Sequence, residues 1–153
     1  MTSSRENLRT RRNIRLIAGS LVGVALAALL WLRPWQSLDL GDPAQYTIVD
    51  IESIDWREPP NTQSTFTRCQ DAKTIAALVD QLASARRIMD CKCLHAGFIR
   101  LTDAEGAVRE LQLIPGHEKA NVDLRYDGGR YQLDRSKLQR LFDSIGATLP
   151  GEN

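Results

Sequence analysis

The sequence lacks the short motifs on which most hydrolases and phosphate-binding enzymes depend. Its 153 residues contain no G-x-S-x-G turn, no H-E-x-x-H helix and no glycine-rich phosphate loop. The spacing C-x-x-C, which marks thioredoxin-like enzymes, is also missing. These absences argue against the common hydrolytic mechanisms, and we predict that the protein is not an enzyme.

A basic cluster is absent beyond the first fifteen residues. Up to Arg15 there are five arginines and one acid, which give this tail a net charge of +4, whereas the 15 basic and 18 acidic residues from position 16 onward give −3. Nucleic-acid binding needs clustered lysine and arginine to contact the phosphates. The sequence therefore predicts a mildly acidic domain with no nucleic-acid partner.

Charge is absent altogether from one long run, Leu16 to Leu32. With Ile14 and Arg15 the segment reaches the roughly 20 residues that a helix needs to cross a bilayer, and we predict a transmembrane signal anchor over residues 14–32. Because arginines precede it, the positive-inside rule makes residues 1–13 a cytoplasmic tail. The rest of the chain is then predicted to lie in the periplasm, outside a bacterial inner membrane.

Three further features of this run bear on how it is processed and what it pairs with. A cleavable signal peptide is the main alternative to an anchor, because Ala25 and Ala27 form a small-x-small site. No cysteine lies nearby, which excludes a lipoprotein anchor. Gly19, Gly23 and Ala27 recur every four residues, a spacing that predicts pairing of two membrane helices in a homodimer.

The outward part of the chain divides into a linker and a domain. Residues 33–45 contain two prolines and a glycine without a sustained period, which is typical of a linker. In residues 46–149, alternating segments predict strands and two segments have apolar residues at helical spacing. This order predicts an α+β fold: an N-terminal transmembrane helix followed by one small domain, in which an antiparallel sheet of four to six strands has two helices packed on one face.

Local patterns place the individual elements of this domain. A strand is predicted over Tyr46–Asp55, and a short returning strand ends at Cys69. Asp71 and Asp134 are predicted to cap the two helices at their N-termini. Two hairpins are predicted between the helices, with their turns at the sequences A-E-G and D-G-G.

Three cysteines lie in the predicted periplasmic domain, and in an oxidising compartment a disulfide is the usual state of a cysteine pair. A helix from Asp71 to about Ala85 rises roughly 22 Å, and a strand that returns at about 3.3 Å per residue brings Cys93 level with Cys69. We therefore predict a disulfide between Cys69 and Cys93. Cys91 is the alternative partner of Cys69.

Cys91, Cys93 and His95 stand at every second position and form a candidate metal site, with His117 as a candidate fourth ligand. Alternate residues of a regular strand lie about 6.7 Å apart, wider than the ligand spacing around a metal ion, so the backbone would have to curl. Zinc or copper suits such ligands best. Cys91 and Cys93 could instead form a redox pair, with Lys92 and Arg87 as neighbours that stabilise a thiolate.

Four patterns between Cys69 and Gly146 carry a resemblance to a known class of domains. They are C-K-C-L-H at the start of a strand, I-P-G-H after a hairpin, R-Y-D-G-G-R-Y-Q-L, and a final short amphipathic helix. In these patterns, which cover about half of the chain, it resembles small exported bacterial domains of unknown function. The resemblance implies the fold and the location, and it assigns no activity. The use of 16 arginines against four lysines also favours a GC-rich bacterial source.

These observations together predict a single-pass, membrane-anchored periplasmic protein that acts as a non-enzymatic binding or accessory module without a cofactor. Its predicted partners are the membrane and another protein, or a second copy of the chain through the membrane helix. The alternative is a metal-binding or thiol-redox domain centred on Cys91, Cys93 and His95, with zinc or copper as the metal.

Overall fold

The computed structural model describes Gly23 and residues 37–55, 63–115 and 118–150. The described residues from position 37 onward form seven strands and two helices, all within one unit, Gln36–Asn153. A short 3₁₀ helix, Pro43–Gln45, precedes the first strand. In chain order the elements are β1 (Tyr46–Asp55), β2 (Gln63–Cys69), α1 (Ala72–Ala83), β3 (Arg86–Ile88), β4 (Gly97–Asp103), β5 (Val108–Pro115), β6 (Asn121–Tyr126), β7 (Gly129–Asp134) and α2 (Arg135–Ser144).

The strands form a single antiparallel sheet in the order β2-β1-β4-β5-β6-β7-β3. The two predicted hairpins, β4–β5 and β6–β7, are both present. The turn of the second contains Asp127 at φ 46° and Gly128 at φ 67°, the left-handed pair that a two-residue hairpin turn requires. The strand β1 pairs with β4 as well as with β2, so pairing between residues far apart in the sequence joins the N-terminal hairpin to the rest of the sheet.

The predicted sheet of four to six strands is wrong, because the sheet has seven. The additional strand β3 has only three residues and is defined by its pairing with β7, more than forty positions later, so no local alternation marks it. Within the described residues no helix has the length and apolar character that crossing a membrane requires. The predicted transmembrane segment, residues 14–32, lies outside the described residues apart from Gly23.

Both helices pack on the same face of the sheet and close a single core. On α1 the apolar residues at helical spacing are buried, and on α2 Leu138 and Phe142 are buried. They pack against the side chains of β1, β4, β5 and β6 that alternate toward the helices, namely Val49, Ile51, Ile99, Leu101, Leu111, Leu113, Val122 and Leu124. Removal of this apolar surface from water is the main stabilising contribution to the fold.

The folded unit begins before β1. Leu38 and Leu40, which the sequence places in a linker, are buried in the core. The hydroxyl of Tyr46 donates a hydrogen bond to the carbonyl oxygen of Leu40 at 2.5 Å, and burial raises the pKa of this tyrosine. The predicted linker, residues 33–45, is therefore packed onto the domain from Leu38 onward.

The predicted N-caps of the helices are confirmed. The Asp71 carboxylate accepts hydrogen bonds from the backbone N–H and the hydroxyl of Thr74 at 2.8 and 2.6 Å, and Asp134 binds Ser136 in the same way. These hydrogen bonds lower the pKa of both carboxyl groups. The local signal of an aspartate followed by a helical apolar pattern was sufficient to locate both helix starts.

The capping aspartates predict an acid-sensitive part of the stability. Because their pKa is lower in the folded chain, their stabilising contribution is complete above the unfolded-state pKa of about 3.9 and is lost as the pH falls through the folded-state pKa. Asn caps a helix without titrating, so the Asp71→Asn, Asp134→Asn double variant should lose less stability between about pH 6 and pH 2.5 than the parent chain. Urea unfolding at both pH values checks this, with Asp80→Asn on exposed helix surface as the control.

Candidate functional site

The face of the sheet opposite the helices, here named the open face, is divided into a covered half and an uncovered half. The segment Met89–Ala96, here named the crossing loop, leaves β3 at one edge of the sheet and enters β4 beside β1. On its way it contacts Arg125 of β6 and Arg130 of β7, whose side chains point to the open face. The crossing loop therefore covers the part of the open face around Asp123 and Arg130 of β6 and β7, whereas the uncovered half includes β2 with Phe66 and the start of β5 with Val108.

A buried ion pair lies beneath the crossing loop. The guanidinium of Arg130 donates to the Asp123 carboxylate through Nε, at 3.1 Å, and through Nη2. The side chain of Asp123 is 0% exposed and that of Arg130 is 6% exposed. Arg130 also donates to the carbonyl oxygen of Met89 at 3.2 Å. The pair is thus satisfied in a dry environment and holds the first residue of the crossing loop.

A second arginine holds the crossing loop next to its cysteines. Arg125 donates to the carbonyl oxygen of Cys91 at 2.5 Å and to the carboxylate of Asp90 at 3.2 Å. Its Nε is buried and has no hydrogen-bond partner. Arg125 and Arg130 therefore both bind carbonyl oxygens of the crossing loop, and each is paired with a carboxylate, Asp90 and Asp123 respectively.

The structure joins Cys91 to Cys93 by a disulfide, with their Cα atoms 5.4 Å apart, and leaves Cys69 as a free thiol. The predicted pairing of Cys69 with Cys93 is therefore absent, and so is the alternative pairing of Cys69 with Cys91. Both disulfide cysteines are half-buried, whereas Lys92 between them is exposed. The structure agrees with the sequence analysis only in placing a disulfide among these three residues.

The path of the crossing loop explains this correction. The predicted pairing requires a long regular strand after α1 that returns alongside the helix, but β3 ends at Ile88 and lies at the sheet edge opposite β2. Cys69 is level with Val49 of β1, whereas the crossing loop enters β4 at Gly97, level with Ser53. Four strand residues, or about 13 Å, separate these levels, and the loop lies beyond the more distant one.

The candidate metal ligands are only partly brought together. Cys91, Cys93 and His95 all lie in the crossing loop, and the ring of His95 packs on Phe98 with centroids 4.8 Å apart. Among the residues that the structure describes, no group of three or more His, Cys, Asp or Glu side chains is arranged to hold a metal ion. His117 lies outside them. Thiolate ligation would require the disulfide to be reduced, and zinc or copper binding stays a prediction.

The uncovered half of the open face carries aromatic rings beside ion pairs. Phe66 on β2 is 58% exposed, and its cross-strand neighbour Glu52 stands between it and Phe98 of β4. The guanidinium of Arg68 lies 5.8 Å from the centroid of the Phe66 ring, and that of Arg100 lies 5.0 Å from the centroid of the Phe98 ring. Such contacts combine a flat apolar surface with charge.

Carboxylates fix both of these arginines. Arg68 contacts Asp50 through two hydrogen bonds of 2.7 and 2.8 Å. Arg100 bridges Glu110 at 2.8 Å and Glu52 at 3.0 Å. These carboxylates raise the pKa of Arg100, and Glu110 makes the larger contribution. This surface is not among the sites predicted from the sequence. Its available signal was the alternation S-T-F-T-R, which puts a phenylalanine and an arginine on one face of an edge strand.

A separate cleft of about 390 Å³ opens on the helix side of the sheet. It lies between the segment before β1 and the β6–β7 turn, and it is lined by Ser37, Leu38, Asp39, Tyr126, Asp127 and Tyr131. Tyr126 and Tyr131 also pack against the core, so cross-strand packing accounts for both tyrosines.

The residues predicted to pair two membrane helices lie almost entirely outside the described part of the chain. Gly23 is helical and exposed, whereas Gly19 and Ala27 are not described. Pairing through these residues stays a prediction.

Comparison with models of known protein families, with curated proteins and with solved structures finds no match to this chain. Its function must therefore be inferred from the residues of the open face and the crossing loop.

Proposed function

We propose that the domain is a binding module whose partner is another protein, and that the partner docks along β2 as an added strand. The observation that carries the proposal is Phe66, which is 58% exposed at the centre of a strand that forms one edge of the sheet. An unpaired edge presents a row of backbone N–H and C=O groups, and a segment that adds to it gains main-chain hydrogen bonds.

The strand β2 lacks most of the features that usually protect an edge, and its one charged residue, Arg68, is paired with Asp50. Natural edges are blunted by proline, inward-pointing charge, bulges or a covering segment. Gln63–Cys69 contains no proline or lysine, and no described residue pairs with the outer side of β2. The opposite edge differs, because Ser37 forms a β-bridge with Arg86 of β3. The described structure thus covers one edge and leaves β2 open.

The side chains of the open face indicate the chemistry of the partner. An added strand would place every second one of its side chains on the open face. The side chain directly opposite Phe66 would pack best if it were apolar or aromatic. Arg68 is already neutralised by Asp50, so the edge does not demand a charged partner. We therefore propose an extended protein segment with an apolar residue opposite Phe66.

The proposed location rests on the sequence. The uncharged run of residues 16–32, the arginines before it and the resemblance to exported bacterial domains support a periplasmic domain held at the inner membrane. Neither the location nor the absence of catalysis is tested by the fold, and both stay predictions. A disulfide within the domain is the usual state of cysteines in an oxidising compartment.

The docking proposal predicts site-specific crosslinking in bacterial cells that make the full chain. A photo-crosslinking phenylalanine analogue at position 66 should yield an adduct with a second protein. The same analogue at Val108 is the matched control, because Val108 is 57% exposed on the same face but lies on β5, separated from β2 by two strands. In a second experiment the analogue is placed at Ser64, so that position 66 can be substituted. Phe66→Lys should then abolish the adduct, since a lysine on an edge strand blocks strand addition.

Two results would contradict this proposal. Adducts of equal yield at positions 66 and 108 would show that exposure alone determines capture. An adduct with the mass of two copies of the chain would assign the edge to self-association instead of a different partner.

A further inference from the structure

The geometry of the crossing loop points to a second activity, independent of docking along β2: we infer that Cys91 and Cys93 form a thiol–disulfide exchange site. Its substrate class is a protein segment that carries two cysteine thiols. Three observations carry this inference, namely the position of the disulfide in the chain, its surroundings and the charges beneath it.

The disulfide joins no two elements of the fold. Cys91 and Cys93 are two positions apart, so the bond closes a loop of only three residues. A cross-link stabilises a fold mainly by restricting the unfolded chain. This stabilisation grows with the length of the closed loop and is smallest for a loop as short as this one. Arg125 and Arg130 already hold the crossing loop to the sheet through carbonyl oxygens. A structural role therefore does not account for the bond.

The surroundings make the bond accessible to another protein. Met89 is 89% exposed and Leu94 is 77% exposed, on either side of the two half-buried cysteines. Met89 lies two positions before Cys91 and Leu94 directly follows Cys93, so both exposed apolar side chains are close to the disulfide along the chain. They would hold an unfolded or extended segment beside the sulfur atoms.

The charges around the bond favour its reduced form. Arg125 lies 2.5 Å from the Cys91 carbonyl oxygen and Arg130 lies under Met89, while Lys92 stands between the cysteines. Two of these three positive charges are offset, because Arg125 is paired with Asp90 at 3.2 Å and Arg130 with the buried Asp123, which leaves Lys92 as the net positive charge beside the bond. Positive charge stabilises the thiolate that leaves when a disulfide is attacked, and a stabilised reduced form makes the disulfide a stronger oxidant.

The proposed reaction is a two-step exchange. A substrate thiolate attacks one sulfur of the pair, the Cys91–Cys93 bond breaks, and a mixed disulfide forms while the other cysteine leaves as a thiolate. The second substrate thiol, after losing its proton, attacks the substrate sulfur of the mixed disulfide and releases the remaining cysteine. The substrate is oxidised to a disulfide, and Cys91 and Cys93 accept two electrons and the two protons.

The test is an equilibrium with glutathione, using the full chain in a Cys69→Ser background so that only the two loop cysteines exchange. Mixtures of reduced and oxidised glutathione are quenched with acid, the thiols are alkylated, and mass spectrometry gives the reduced fraction. We expect full reduction by excess glutathione with less than a few degrees of change in the unfolding temperature. Arg125→Gln should shift the equilibrium toward the disulfide by about three- to tenfold, and Arg125→Lys should retain most of the parent value, where tenfold corresponds to about 30 mV.

Specific results would overturn the inference. A disulfide that resists excess reduced glutathione, or a reduced chain that unfolds, would make the bond a structural cross-link. Equal equilibrium constants for the parent and Arg125→Gln would remove the role given to Arg125. A loss of crosslinking at position 66 with normal exchange would contradict only the docking proposal, so the two proposals fail separately.

Discussion

Replacing Asp123 by Asn is expected to lower the free energy of unfolding by about 3–5 kcal/mol, because it leaves the guanidinium of Arg130 buried without its counter-charge. The side chains of the pair are 0% and 6% exposed, so water cannot replace the lost carboxylate. The substitution keeps the shape of the side chain, and Gln132, which donates to Asp123 at 3.4 Å, loses little. Denaturant unfolding of the two chains measures the difference.

The more exposed pair of Arg68 and Asp50 provides the control. In that pair the side chain of Arg68 is 53% exposed and that of Asp50 is 13% exposed, so solvent reaches the pair and screens its attraction more than that of the buried pair. Asp50→Asn should therefore cost far less than Asp123→Asn. If the two substitutions cost the same, burial would not be the reason for the effect.

A double variant separates the ion pair from packing. Asp123→Leu with Arg130→Met replaces both charges by apolar groups of similar size, and it should recover much of the stability that Asp123→Asn loses. The crossing loop would still lose the hydrogen bond from Arg130 to the Met89 carbonyl oxygen. Amide exchange over residues 89–96 should therefore be faster in the double variant than in the parent chain.

Local signals in the sequence were sufficient for much of the fold. The aspartates that cap the helices, the helical spacing of the apolar residues of α1 and the two hairpin turns each depend on residues within a few positions of one another. Their elements lie where the sequence predicts them. The strand β3 has no such signal, since three residues acquire a strand conformation only by pairing with β7.

Local patterns pointed to Cys91 and Cys93, but the surroundings of this candidate site depend on contacts that are distant in sequence and could not be predicted from them. Asp123 alternates with Val122 and Leu124, which predicts a solvated side chain, yet the crossing loop covers it. The path of that loop follows from the placement of β3 beside β7 and of β4 beside β1. The same path separates Cys69 from the other two cysteines and explains why a rise-per-residue argument gave the wrong disulfide.

Gly97 shows how closely the backbone is packed where the crossing loop enters β4. A Cβ atom at this position would overlap the carbonyl oxygen of Glu52 and lie 3.2 Å from the Cα of Ser53, both on β1. Backbone atoms of a central strand cannot move aside as a flexible side chain can. A glycine within a strand often marks such a close approach of another backbone.

We therefore expect Gly97→Ala to lower the free energy of unfolding by about 2–3 kcal/mol, since β4 must separate from β1 or distort to relieve the overlap. Gly129→Ala is the matched control: it is also a strand glycine, but its added Cβ would meet the ring of Tyr131, 2.9 Å away, which can rotate. Its cost should be clearly smaller, and equal losses in denaturant unfolding would contradict the steric argument. Phe98 follows Gly97 directly, and Glu52 is the cross-strand neighbour of both Phe98 and Phe66. The same displacement should therefore also weaken crosslinking at position 66.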